Sequence, residues 1–108
     1  RFYSLQLGAE TRELACLGFT DISTDDVTEA AARIRQLDCV ITVDTMTAHL
    51  AGALAAPTWV LLQQDCDWRW MSGRGDSPWY ATARLFRQRR QRDWLAVIAD
   101  LAAALRAC

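Results

Sequence analysis

Apolar and polar positions change rhythm several times along this chain, and the sharpest change lies near its middle. Cys39-Val40-Ile41-Thr42-Val43 is a short, β-branched apolar run, the pattern of a strand buried on both faces. Asp44-Thr45 interrupts it with two residue types that cap helices well. Met46, Leu50 and Leu54 then recur every fourth position and predict a helix with an apolar stripe. Pro57 closes that helix, and Thr58-Trp59-Val60-Leu61-Leu62 opens a second buried strand. Residues 39–62 thus read as a βαβ unit, and parallel α/β sheets bind ligands outside the carboxyl ends of such strands.

Upstream, residues 2–6 alternate aromatic and polar positions and predict a strand that exits at Leu7-Gly8. Residues 9–17 predict a short helix ending at Gly18, and 19–22 a brief second strand. Ser23-Thr24-Asp25-Asp26 clusters helix-capping residues, with Glu29 three positions after Asp26 as in a capping box. Val27, Ala30, Ala31, Ile34 and Leu37 follow at helical spacing, with Glu29 and Arg33 as an i,i+4 ion pair. Alternating strands and helices on short connections predict one mostly parallel sheet with right-handed crossovers. Downstream, residues 63–83 show no periodicity and hold Trp68, Trp70, Trp79 and Tyr80 among charges. A stretch of roughly twenty such residues exceeds a plain connector and marks a functional or self-packed loop. Within it Arg69-Trp70-Met71 reads as one helical turn, and the tripeptide Arg74-Gly75-Asp76 as coincidence. Arg84-Leu85-Phe86 predicts a last short strand. Asp93 opens a final helix with Trp94, Val97, Ile98, Leu101 and Leu105 on one apolar face.

At 108 residues, 52% of them apolar, the chain makes one domain with a real core and is neither disordered nor membrane-spanning. It shows no targeting peptide and begins without an initiator Met in strand-like sequence, so a fragment of a longer protein is expected. A formal net charge of −1 argues against nucleic acid as a partner. All the basic residues are Arg, which reads as coding bias. Cys16, Cys39, Cys66 and Cys108 lack CxxC spacing, so neither a zinc site nor a disulfide framework is expected, and reduced thiols fit a cytoplasmic location.

The strand-to-helix turn at Asp44-Thr45 is the first place to look for chemistry. The opening amides of a helix have no internal partner and its dipole is positive there, which suits a pyrophosphate. The hydroxyls of Thr45 and Thr47 can add hydrogen bonds, and Asp44, which would repel phosphate, can accept from sugar hydroxyls. The competing reading is that Asp44 or Thr45 simply caps the helix, for about 1 kcal/mol. His49 is the sole histidine and falls on a stripe with Thr45, Gly52 and Ala56, one turn above the proposed anion position; packing and ligand contact both suit it there. No nucleophile or metal-ligand arrangement surrounds it, and neither GxGxxG nor a P-loop is present. The tryptophans of the irregular loop suit stacking on a base or anchoring of the loop. The arginines from Arg84 to Arg92 suit a phosphorylated ligand, an anionic surface or plain solvation.

Several of these strings together resemble a known family. Val43-Asp44-Thr45-Met46-Thr47-Ala48-His49-Leu50-Ala51-Gly52-Ala53-Leu54 and Pro57-Thr58-Trp59-Val60-Leu61-Leu62 are similar to the C-terminal lobe of heptosyltransferase-like (family 9-like) glycosyltransferases. Asp67-Trp68-Arg69-Trp70, Asp76-Ser77-Pro78-Trp79-Tyr80 and Arg84-Leu85-Phe86-Arg87-Gln88 extend the likeness to bacterial proteins in which this lobe follows tetratricopeptide repeats, and Phe2-Tyr3-Ser4-Leu5-Gln6 also fits. The resemblance implies α/β architecture, namely the Rossmann-like three-layer αβα lobe of a GT-B fold, here incomplete. It implies a nucleotide-diphospho-sugar donor at Asp44, Thr45, Met46, Thr47 and His49, with the amides of Thr45, Met46 and Thr47 on the diphosphate and no bound metal or other cofactor. The acceptor-binding N-terminal lobe, expected to supply the catalytic base, is not in this sequence, and Met46 replaces a frequent Gly. The expected role is the donor-binding part of a glycosyltransferase, inactive alone. The alternatives are a non-catalytic Rossmann-like scaffold module and a fragment of a GT-B-like sugar-nucleotide epimerase.

Overall fold

The computed structural model describes residues 2–5, 16–66, 70–71 and 74–107. The chain divides into two units, Arg1–Leu37 and Asp38–Cys108. Both are α/β, with short parallel strands and helices. Among the described residues the strands form two sheets, of two and three strands, instead of the single sheet that the alternation of elements predicts.

In the first unit, β1 (Tyr3–Ser4) pairs in parallel with β2 (Thr20–Asp21), Tyr3 opposite Thr20. The amides of Thr20 and Ile22 donate to the carbonyls of Phe2 and Ser4, and the rings of Phe2 and Phe19 lie 5.5 Å apart. Both strands are shorter than their apolar runs suggest. The expected helix over 9–17 lies almost wholly outside the described residues; Gly18, its expected stop, has φ +85°. Helix α1 (Val27–Ile34) begins where its cap predicts, Asp26 accepting from the amides of Thr28 at 2.8 Å and Glu29 at 3.3 Å. The other half of the capping box is rebuilt through a neighbour. The Asp26 amide donates to Thr24 Oγ1, and that hydroxyl donates to Glu29 Oε2. Arg33 lies 3.6 Å from Glu29, an exposed pair worth about 0.3–0.5 kcal/mol. Its shorter contacts go to the Ile22 and Ser23 carbonyls, at 2.6 and 3.0 Å, so it ties the exit of β2 to the helix.

In the second unit, β3 (Val40–Val43), β4 (Thr58–Leu62) and β5 (Ala83–Arg87) form an all-parallel sheet in that order. Val40 pairs with Thr58, and Thr58 with Ala83. Strand alternation sends Val60, Leu62 and Leu85 to one face, where they pack with Ala48 of helix α2 (Met46–Ala53) and with Trp70. Trp59, Leu61 and Phe86 go to the other face, against Val97, Leu101 and Ala104 of helix α3 (Trp94–Arg106). Asp93 caps α3 by accepting from the amide of Ala96.

Three expectations of burial change here. β3 is an edge strand with Ile41 and Val43 exposed, on the face of the sheet where helix α3 packs against β5. α2 does not bury its Met46-Leu50-Leu54 stripe: Met46 is 65% exposed, and Ala48, Ala51 and Gly52 are the buried positions. Small side chains let the helix approach closely, and the larger ones are left to its flanks. α3 buries a narrower strip than its apolar face offers, leaving Trp94, Ile98 and Leu105 exposed.

The end of α2 has a specific geometry. The amide of Ala56 donates to the Ala51 carbonyl and that of Ala55 to Gly52, with Ala55 at φ +57°, the pattern of a Schellman cap. Glycine usually takes this left-handed position because a Cβ is strained there. Ala55→Gly is therefore expected to stabilise the protein by about 1 kcal/mol, measurable as a higher midpoint of chemical denaturation.

Candidate functional site

The turn between β3 and α2 supplies most of the residues singled out in the sequence. Thr45 occupies the N-cap position with extended backbone, φ −139° and ψ 176°, yet its side chain caps nothing. Its hydroxyl sits 3.2 Å from Thr42 Oγ1 and 3.4 Å from the Val43 carbonyl, turned back toward the strand. The simple capping reading of Thr45 therefore does not hold. The other two N-caps, Asp26 and Asp93, both accept from first-turn amides. The start of α2 is thus the one described helix N-terminus without a side-chain acceptor, which keeps its partial positive charge available.

Asp44 and His49 face each other, Asp44 Oδ1 lying 3.3 Å from His49 Nε2, each side chain about one-third exposed. The other ring nitrogen, Nδ1, is 2.9 Å from the hydroxyl of Tyr80. Trp70 stacks on the imidazole, with centroids 5.3 Å apart and planes inclined by 28°, and the Tyr80 ring stands edge-on at 5.7 Å. Asp44, His49 and Tyr80 thus form one chain of polar contacts on an aromatic base. Of the expected donor residues, the structure joins Asp44 to His49. It leaves Met46 exposed and Thr47 half-buried at the first turn of α2, and turns the Thr45 hydroxyl toward Thr42.

Tyr80 and Trp70 were not expected as partners of His49, although a signal exists. Gly52 shares the helical stripe of His49, and the Tyr80 ring occupies the space its missing side chain leaves. A Cβ at position 52 would meet Tyr80 Cγ at 2.5 Å and Cδ1 at 2.7 Å. Tyr80 is aimed by a serine turn, the Ser77 hydroxyl accepting from the amides of Trp79 and Tyr80 at 3.1 and 3.3 Å.

The irregular loop divides by function. Trp70 is 1% exposed and belongs to the core, Trp79 is 62% exposed, and Trp68 lies outside the described residues, as does Arg69 of the expected helical turn. Arg74 and Asp76 close on each other, Nε to Oδ1 at 2.6 Å and Nη2 to Oδ2 at 3.0 Å. The Arg74 guanidinium holds the Asp76 carboxyl below the ordinary carboxylate range. This fold of the Arg-Gly-Asp tripeptide lays Asp76 beside Arg84 as an antiparallel bridge on the outer edge of β5.

The arginines of the segment from Arg84 to Arg92 have different surroundings. Arg84 stacks over Trp59 and Phe86, at 5.6 and 4.9 Å from their centroids. Arg87 turns into the loop and donates to the carbonyls of Trp70, of Met71 at 2.8 Å and of Arg74 at 2.8 Å. Arg89 pairs with Asp100 at 3.2 Å. Long flat guanidinium groups of Arg84, Arg87 and Arg89 find rings, carbonyls and a carboxylate at close range, while Arg90 and Arg92 are exposed.

Among the described residues no group of three or more His, Cys, Asp or Glu side chains gathers to hold a metal ion, and no helix is long and apolar enough to cross a membrane. Among the described residues, Cys16 and Cys66 carry free thiols. Against known proteins, no family model, curated protein or solved structure matches this chain.

Proposed function

We propose that this chain is the donor-binding part of a glycosyltransferase, taking a nucleotide-diphospho-sugar whose sugar passes to an acceptor held by another lobe of the same protein. The fold, on this reading, is the C-terminal Rossmann-like lobe of a GT-B enzyme. The observation that carries the proposal is the open N-terminus of α2 at the carboxyl end of a parallel strand, in a segment whose sequence resembles the donor site of that family. The amides of Met46 and Thr47 offer hydrogen bonds to a diphosphate, and the helix dipole favours its charge. The Thr47 hydroxyl lies on the same turn. Asp44, held beside His49, has carboxylate lone pairs left for sugar hydroxyls. The described residues offer no activated nucleophile, and the base for the transfer is assigned to the acceptor lobe. A scaffold built on the tryptophan loop and the arginine segment would have to use Trp79, Arg90 and Arg92, since Trp70 and Arg87 are consumed within the fold.

Titration with UDP, ADP and GDP is expected to move the amide resonances of residues 45–49 at millimolar ligand or below. The response should be unchanged by a metal chelator and should weaken as salt is raised. Absence of any movement in that segment with all three nucleotides, for this chain and for the full-length protein, overturns the proposal.

A further inference from the structure

His49 is contacted at both ring nitrogens, and the chemistry of its neighbours fixes which one carries the proton. A carboxylate offers lone pairs and no hydrogen, so the nitrogen facing Asp44, Nε2, bears the hydrogen of the neutral ring. Nδ1 is then left with a lone pair, and the Tyr80 hydroxyl 2.9 Å away fills it by donating. The ring orientation is further restricted by the stack on Trp70. Tyr80 itself has little freedom, pinned above Gly52 and aimed by the Ser77 turn.

We infer that Tyr80 is a positioning residue of the donor site. Its hydrogen bond to Nδ1 holds His49 with Nε2–H toward Asp44, and so keeps the Asp44 carboxylate beside the imidazole. A carboxylate free to swing across the turn would repel an incoming diphosphate from the helix amides. The inference rests on the donor-site reading above. It adds a residue more than thirty positions from Asp44-Thr45 in sequence, on a loop that folds over the His49–Gly52 stripe of the same helix.

The test uses Tyr80→Phe, which keeps the ring over Gly52 and removes the hydroxyl alone. His49 is the only histidine, so its two nitrogen resonances are unambiguous. In the neutral wild-type ring Nδ1 should resonate as a hydrogen-bonded acceptor, and Tyr80→Phe should move it toward the position of an unbonded imidazole nitrogen. Affinity for pyrophosphate and for UDP should fall about fivefold, the scale of one hydrogen bond, while the amide spectrum of the sheet stays in place. An Nδ1 resonance that does not move overturns the inference, as does a moved resonance with unchanged affinity. A wild-type protein that binds neither probe overturns the donor-site reading and the role built on it. The nitrogen resonances, read without ligand, then still report on the hydrogen bond, so the two failures are distinguishable.

Discussion

Replacing Trp70 with alanine is expected to lower stability by about 3–5 kcal/mol, a large share of the roughly 5–15 kcal/mol typical of a domain. Trp70 lies between β4 and β5, outside any strand or α-helix, yet its side chain is among the most deeply buried of the described residues. It packs with Ala48, Val60, Leu62 and Leu85, so its removal empties the face of the sheet that α2 covers. It also withdraws the surface on which His49 stacks. Its indole Nε1 is buried without a hydrogen-bond partner among the described residues, so the N–H brings a desolvation cost with no return. Trp70→Phe should therefore cost clearly less than Trp70→Ala, because it deletes that N–H while keeping most of the apolar contact. Urea denaturation of the two variants beside wild type checks both statements. A loss below about 1 kcal/mol for the alanine variant would show that the loop is not part of the core.

Arg87→Met is expected to cost about 2–3 kcal/mol, although a methionine fills much the same volume. The guanidinium donates to three backbone carbonyls, those of Trp70, Met71 and Arg74, and its Nη1 lies 3.3 Å from Cys66 Sγ. One side chain at the end of β5 thus satisfies groups across the middle of a loop that has no ladder of its own. Removing it leaves those carbonyls without their donor. Lysine should fail to rescue, since a single ammonium cannot span acceptors that a planar fork reaches together. Denaturation midpoints and amide exchange rates at residues 74–77 are the measurements, and a fully stable Arg87→Lys protein would refute the multi-carbonyl clamp.

The parts of this fold legible in the sequence are those decided by neighbours along the chain. Asp26 and Asp93 announce their helices because a cap and its amides are two or three residues apart. The βαβ unit is legible because its strands, turn and stop signals are contiguous. What stayed hidden depends on partners far away. Met46, Leu50 and Leu54 do form a stripe, but which stripe of α2 is buried is decided by what packs against it, and close approach favoured Ala48 and Ala51. The run from Val40 to Val43 has the composition of a central strand, and only pairing reveals it as an edge. Arg87 reads as one charge among many until the carbonyls it serves are placed around it. In the candidate site, Asp44, Thr45 and His49 were legible from local spacing, whereas Tyr80 was not, because the contact that brings it to His49 crosses thirty-one positions of chain.

That contact has a consequence for how variation in this protein would be read. Position 52 carries no chemistry of its own, being a single hydrogen beneath a phenol ring. Any side chain there lifts the ring and, with it, the hydroxyl that reaches His49, so the geometry of the site is lost at a residue that touches no ligand. Position 52 would therefore score as functional in a tally of tolerated substitutions, for a purely spatial reason. The tolerance of the turn at Asp44 is set in part by an absence of atoms two helical turns away.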